Sequence, residues 1–196
     1  MPRSSSTGIQ IQVRLTEIEP PIWRRIMVSS RTTLHELHRI IQLLFSWYDY
    51  HLYEFEIGDR HFQAPDADSE AEDSTRITLG VLGLNPGDVF IYAYDFGDDW
   101  AHCIEVERTN VPVDTNRLPC VLDGARRGPP EDCGGPHRYM QLLAALDRPL
   151  EDLNDEDREL VEWNGVRYDP EDFSLEQADH SLTLSAAWGV LKGRRR

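Results

Sequence analysis

The chain has 196 residues, of which 40% are hydrophobic and 28% are charged, a composition typical of one globular domain or of a domain with an appendage. Its formal net charge of −15 repels phosphates and disfavours nucleic acid as a partner. No apolar run approaches the ~20 residues of a membrane span, and the N-terminus lacks a signal-peptide core. Three cysteines without a CxxC pair fit a reducing compartment. The sequence therefore predicts a cytoplasmic protein with no membrane partner.

Residues 1–109 are predicted to form a β-grasp-like core. Residues 9–15 alternate apolar and polar side chains, as a half-buried strand does. A second strand follows, and Arg24 interrupts its apolar face. Thr33 and Glu36 then have the spacing of a capping box at the start of an amphipathic helix.

The next elements complete the order of a ubiquitin-like β-grasp. A third strand is predicted over residues 51–57, with His51 on its core face, and a short strand follows near His61. The acidic stretch 66–73 has no apolar anchor and is predicted to be a solvated, mobile loop. After a helical turn, a strand over residues 89–95 closes the fold. The expected class is α+β, with a mixed sheet packed on one helix.

An extra hairpin strand is predicted within residues 1–109, after the strand that closes the grasp. Residues 89–95 and 100–107 both alternate, and the four residues between them can form a turn. Matching the two apolar faces puts Ile91 and Ala93 on the core side and places Ala93 opposite His102. The sequence therefore predicts that His102 points into the core.

Residues 110–196 are predicted to be a proline- and glycine-rich loop followed by a helical extension that packs on the core as one structural unit. The density of helix and strand breakers between residues 110 and 136 predicts a loop without a regular element. One helix is expected to begin at Pro136. A second is expected to be capped by Asn154 and to bury Trp163.

Trp23 and Arg25 are predicted on the outer face of the second strand. One interpretation is that Trp23 packs under the C-terminal helices, which would then cover that face of the sheet. The alternative is a recognition surface, because tryptophan and arginine are frequent at binding hot spots. The sequence favours the packing interpretation.

Five phrases of the sequence are more specific than periodicity. They are IEPPIWRR at 18–25, LYEFEI at 52–57, YDFGDDWAH at 94–102, GARRGPPEDCGGP at 124–136 and YDPEDF at 168–173. Together they resemble the Ri-plasmid open-reading-frame-three-like family of bacterial and archaeal proteins, some of them carried on plasmids or by insertion elements. The resemblance implies an association with mobile elements and no established activity. Relatives often carry a cysteine where this chain has Gly128, and this departure weakens a metal or redox set that would include Cys120 and Cys133.

The hairpin tip carries the first candidate site. Carboxylates and imidazoles at this tip would suit Zn²⁺ or Mn²⁺. Alternatively, Asp98 and Asp99 are turn residues and His102 is a hydrogen-bonded core histidine, which is the interpretation that the sequence favours. No cofactor is predicted beyond a candidate divalent metal. Its candidate ligands are His51, Asp95, His102 and Cys120.

Cys133 is the second candidate. Its position before a helix N-terminus lowers the pKa of the thiol, whereas Glu131 and Asp132 raise it. The alternative is a tight loop that caps the helix. A zinc site built from Cys120, Cys133 and a histidine is a third interpretation, although the cysteine spacing matches no established zinc finger.

Two function classes remain open. The first is a non-catalytic binding module for a protein or a small ligand, and the second is a metal-dependent hydrolase-like enzyme that uses Asp95, Asp99 and His102. We expect the module, because the sequence shows no complete set of nucleophile, base and oxyanion donors. Its surface is predicted where the hairpin tip packs against the PPEDCGGP loop. The candidate binding residues are Trp100, as an apolar anchor, together with Asp98, Asp99, Glu131, Asp132 and Cys133.

Overall fold

A computed structural model describes residues 7–65, 70–164, 168–187, 189 and 191. These residues form an α+β fold with one eight-stranded mixed sheet and four helices, which confirms the predicted class. The strands are β1 (Gly8–Leu15), β2 (Trp23–Ser29), β3 (Tyr53–Ile57), β4 (Arg60–Gln63), β5 (Glu72–Asp73), β6 (Val89–Tyr94), β7 (Trp100–Val111) and β8 (Cys120–Ala125). The helices are α1 (Leu34–Phe45), α2 (Gly135–Leu146), α3 (Asp155–Asn164) and α4 (Leu175–Ala187).

The strand order across the sheet is β5-β4-β3-β6-β7-β1-β2-β8. All neighbours pair antiparallel except β4 and β5. In a ubiquitin-like grasp, the first strand and the closing strand are adjacent. Here β7 lies between β1 and β6, so the β-grasp itself is not confirmed.

Helix α1 begins and packs as its sequence predicts. The Thr33 hydroxyl accepts a hydrogen bond from the Glu36 backbone N–H, and the Glu36 carboxylate accepts one from the Thr33 backbone N–H. This reciprocal capping satisfies two of the N–H groups that a helix start leaves unpaired. The predicted apolar stripe is buried in full. Its members are Leu34, Leu37, Ile40, Ile41, Leu44 and Phe45.

The β6–β7 hairpin forms, but its predicted register is wrong by one residue. His102 pairs with Tyr92, and Ala93 pairs with Ala101, because the tip has five residues rather than four. The buried side chains of β6 are therefore Phe90, Tyr92 and Tyr94, with the smaller apolar residues on the opposite face. Large rings remove more apolar area from water, which explains why this register is preferred.

The proline- and glycine-rich stretch contains a strand that the sequence analysis did not predict. Strand β8 pairs with β2 at the edge of the sheet, and the prolines lie outside it. Strand β7 runs across residue 109 to Val111, and β8 joins the same sheet. The division of the chain into two parts at residue 109 stays a prediction. In the acidic stretch, Glu72 and Asp73 form β5 instead of a loop, and residues 66–69 lie outside the described part of the chain.

The third predicted strand is shorter than expected. It begins at Tyr53, and His51 lies in a turn before it with its side chain 31% exposed, so the predicted placement of His51 on the core face is wrong. The described ranges contain no helix that is both long and apolar enough to cross a membrane.

The C-terminal segment packs on the same side of the sheet as α1. The Phe173 ring lies 4.2 Å from the guanidinium carbon of Arg24, which is on the buried face of β2. Trp23 lies on the other face, with the guanidinium of Arg25 5.1 Å from its ring. The prediction that C-terminal helices cover Trp23 is therefore wrong.

Replacing Arg24 tests what holds these elements together. Arg24 is 2% exposed and donates hydrogen bonds to the backbone oxygens of Leu44 and Ala125. We expect Arg24→Ala to lower the free energy of unfolding in urea by about 3 kcal/mol or more, because it leaves a cavity and unpaired carbonyl groups. The matched control Arg14→Ala, at an exposed position of β1, should change it by less than about 0.5 kcal/mol. Equal losses in the two variants would contradict this role.

Candidate functional site

The tip of the β6–β7 hairpin is organised by Asp95. Its Oδ1 accepts a hydrogen bond from the Gly97 backbone N–H at 3.0 Å, and its backbone oxygen accepts one from Asp99 at 2.7 Å. Asp95 is 8% exposed, and both aspartates have positive φ, 56° and 57°. Aspartate tolerates this conformation, so the tip is a defined turn with the second Asp95 oxygen facing outward from it.

The loop before α2 packs against this tip, as the sequence predicted. Asp98 Oδ2 accepts a hydrogen bond from the Gly134 backbone N–H at 2.9 Å. A Cβ atom on Gly135 would lie 2.3 Å from the Asp98 carbonyl oxygen, and Gly135 has a φ of +79°. Only glycine fits this approach without displacement of the tip, so the glycine pair is what allows the two loops to meet.

A third segment, which precedes β3, joins the two loops. Glu131 accepts hydrogen bonds from the Tyr48 backbone N–H at 2.7 Å and from the Tyr94 hydroxyl at 2.6 Å. The Leu52 backbone oxygen accepts one from the Asp95 N–H at 2.9 Å. We call residues 48–52, 95–99 and 131–134 together the loop surface.

His51 occupies the centre of the loop surface. Its Nε2 lies 2.8 Å from Asp132 Oδ1 and 3.5 Å from Asp95 Oδ2. One ligand atom from each of the three side chains lies within 4.8 Å of the others. Burial lowers the pKa of His51, but the hydrogen bond with Asp132 and the nearby negative charges outweigh it and raise the pKa above its usual value. The geometry brings together two of the predicted metal ligands, His51 and Asp95, with Asp132.

The loop surface combines negative charge with exposed rings. Its three segments contain six carboxylates and no lysine or arginine. Tyr48 and Tyr50 are exposed with their ring centroids 5.6 Å apart, and Leu52 and Phe96 are exposed too. The sequence analysis missed these four residues, because an alternating pattern does not show where a strand begins or which side of a turn faces solvent.

A cleft of about 260 Å³ opens beside the loop surface. It is lined by Asp132, Glu159 and Trp163, whose side chain is 76% exposed, and by Arg138, whose guanidinium is paired with Glu156 at 3.0 Å. The predicted burial of Trp163 is wrong. Helix α3 buries the side that carries Leu160, and Trp163 lies outside it.

Two of the predicted site residues belong to the core instead. Trp100 is 1% exposed, with its ring 5.8 Å from that of Trp47, so it cannot serve as an anchor for a ligand. His102 is fully buried as predicted, but its ring packs edge-on against Phe45 and Trp47, away from the carboxylates. The predicted metal role of His102 is therefore wrong.

The cysteines do not form the predicted reactive or zinc-binding sets. Cys133 is buried, and burial, followed by the charge of Asp98, raises the pKa of its thiol to about 12. A protonated thiol is a poor nucleophile and a poor metal ligand. Cys120 pairs with Met27 in the β2–β8 ladder, and burial, followed by the charge of Asp179 of α4, raises the pKa of its thiol. It is not part of the His51 cluster.

Comparison with known proteins identifies the family. The family model described as plasmid pRiA4b ORF-3-like protein matches residues 7–177. The chain belongs to this family.

Relatives of this ORF-3-like chain come from bacteria and archaea. It is 34% identical over 192 residues to the uncharacterized protein y4hQ of Sinorhizobium fredii, with 96% of this chain and 97% of that protein covered. It is also similar to the crystal structure of the protein of unknown function MM3350 from Methanosarcina mazei Go1. That comparison has a TM-score of 0.75 and 28% identity, and covers 88% of this chain and 97% of the other. Neither relative is named for an activity.

The close approach at Gly135 can be tested against a second glycine of the ORF-3-like chain. Gly58 has a φ of +61° and open space around it. Gly58→Ala should therefore lower the free energy of unfolding by about 1–2 kcal/mol, the cost of a left-handed alanine alone. We expect Gly135→Ala to cost about 2 kcal/mol more, because its methyl group meets the Asp98 carbonyl. Urea unfolding at pH 7 measures both, and equal costs would contradict the predicted clash.

The buried His102 predicts a specific pH dependence of stability. Burial lowers the pKa of His102 to about 3, against 6.5 when the chain is unfolded. The unfolded state therefore binds an extra proton between these values, and stability falls as the pH falls through this window. Between pH 7 and pH 5, we expect the wild type to lose about 2 kcal/mol more unfolding free energy than His102→Leu. Parallel losses in urea titrations at the two pH values would refute this assignment.

Proposed function

We propose that this chain is a non-catalytic binding module that recognises a positively charged segment of a partner protein at the loop surface and the adjoining cleft. The observation that carries the proposal is the exposed ring of Trp163 at a cleft that Asp132 and Glu159 also line. An arginine or lysine side chain in this cleft would lie against an aromatic face and near two carboxylates, while the Arg138 guanidinium of the same cleft is already paired with Glu156.

The character of the loop surface supports such a partner. Tyr48 and Tyr50 leave their rings in water, where they supply contact area with few rotatable bonds. The six carboxylates and the net charge of −15 attract a cationic segment at long range and repel an acidic one. The loops are already fixed by hydrogen bonds to one another, so little ordering entropy is lost when a ligand binds.

The buried position of His102 argues against the hydrolase alternative. It required His102 beside Asp95 and Asp99, and the imidazole of His102 is instead enclosed by Phe45 and Trp47. A general acid or base must reach the substrate, which this side chain cannot do.

We also propose where the module acts in the cell and how its fold is related to a β-grasp. The plasmid in the description of the family supports a role alongside mobile elements, and three free cysteines support a reducing, cytoplasmic location.

The sheet supports derivation from a β-grasp by insertion of β7. Since β7 is antiparallel to both β1 and β6, its removal would leave those two strands parallel and able to pair.

Two labelled nonapeptides test the function. They share a glycine–serine framework and carry either three arginines or three glutamates. We expect the arginine peptide alone to bind, with a micromolar Kd that rises with salt, in fluorescence anisotropy titrations. Trp163→Ala and Glu159→Gln should each weaken binding about threefold to tenfold.

Matched variants away from the cleft serve as controls. Val81→Ala and Glu176→Gln change an exposed apolar side chain and an exposed carboxylate elsewhere on the molecule, and both should leave the Kd unchanged. Binding of neither peptide, or equal binding of both, would overturn the proposal.

A further inference from the structure

We propose that His51, Asp95 and Asp132 form a binding site for a divalent transition-metal ion, Zn²⁺ or Mn²⁺, at the centre of the loop surface. This site goes beyond the peptide-binding function and does not depend on it. Its three ligands come from three separate segments of the chain, the turn before β3, the hairpin tip and the loop before α2.

The distances between the donor atoms suit one ion. His51 Nε2 and Asp95 Oδ2 are 3.5 Å apart, which is long for a hydrogen bond. Two ligands at ~2.1 Å from a tetrahedral ion are about 3.4 Å apart. The separation of 2.8 Å between His51 Nε2 and Asp132 Oδ1 needs to widen by about 0.6 Å to reach the same value. Asp132 is more than half exposed, so its side chain can make this adjustment.

The site also has a fixed part and an open part. Asp95 is held by backbone N–H groups at its Oδ1, which leaves Oδ2 directed at His51. Such hydrogen bonds to a ligating carboxylate orient it for the metal. Asp132 approaches the same Nε2 atom of His51 and is more than half exposed to solvent. Three protein ligands with an open side leave room for water or for a donor atom of a bound molecule.

The donor set and the charge select the type of ion. One imidazole with two carboxylates suits Zn²⁺ and Mn²⁺, whereas Mg²⁺ prefers oxygen ligands and keeps most of its water. The neighbouring carboxylates of Asp98, Asp99 and Glu131 add negative charge that attracts any cation. A dication would neutralise both ligating aspartates, while a proton on His51 offsets only one of them.

Manganese alone is the probe for the decisive experiment, because Mn²⁺ has little affinity for the three cysteine thiols. Electron paramagnetic resonance of free Mn²⁺ should show one ion bound per chain with a micromolar Kd, and a large excess of Mg²⁺ should displace it poorly. His51→Gln and Asp132→Asn should each raise the Kd at least about tenfold. The control variants His61→Gln and Asp123→Asn change an exposed histidine of β4 and an exposed aspartate of β8. Both should leave the Kd for Mn²⁺ unchanged.

A measurement on the unmutated protein covers the case in which a variant fails to fold. Paramagnetic broadening by Mn²⁺ should affect amide signals of residues 48–52, 95–99 and 131–134 before those of the β2–β8 edge. Failure to bind Mn²⁺, binding that the His51 and Asp132 variants retain, or broadening centred elsewhere would each overturn the site. Trp163→Ala should bind Mn²⁺ normally, so loss of the metal site and loss of peptide binding are separate results.

Discussion

Burial of the Arg24 guanidinium is the interaction on which the arrangement of the other elements depends. The guanidinium donates to the carbonyl oxygens of Leu44 at the end of α1 and of Ala125 in β8, and it lies between the rings of Phe45 and Phe173. Burial lowers its pKa to about 10, so it stays charged at neutral pH. A buried charge is tolerated only if its donors are hydrogen-bonded. The end of α1, β8 and the C-terminal segment must therefore meet at this one point.

The loop surface follows from this junction. Immediately after β8, the chain passes so close to α1 that a Cβ atom on Gly128 would lie 2.2 Å from the Phe45 carbonyl oxygen. The Trp47 indole N–H then donates to the Pro129 oxygen at 2.9 Å, which fixes the loop on the end of the helix. Just beyond it, Glu131 accepts hydrogen bonds from Tyr48 and Tyr94, and Asp132 contacts His51. The site is thus built on the rigid end of α1, and a ligand does not have to order it.

Local patterns predicted most elements of this fold but not β5 or β8, and tertiary packing decided the rest. The capping box at Thr33 depends on a few adjacent residues, and for that reason it could be read from the sequence. The hairpin register could not, because both faces of β6 are apolar and the alternation alone does not show that the face with Phe90, Tyr92 and Tyr94 is the buried one. The same limit applies to the site. His51 and Asp95 were predicted as metal ligands and Asp132 only as a binding residue. Asp132 contacts His51 across 81 positions of sequence, and periodicity carries no information over that distance.

The loop surface lowers the free energy of unfolding of the unliganded protein. This loss of stability is itself an argument for a cationic ligand. Asp95, Asp99 and Asp132 all have positive φ, a conformation that costs a non-glycine residue about 1 kcal/mol even where its side chain helps. The carboxylates of Asp95 and Asp132 also repel each other, because both lie beside the one Nε2 atom of His51. Folding stability alone would favour glycine or asparagine at such turns. A ligand that binds only the folded state raises the free energy of unfolding by mass action. A positive ion or side chain raises it the most, because it also reduces the repulsion between the carboxylates.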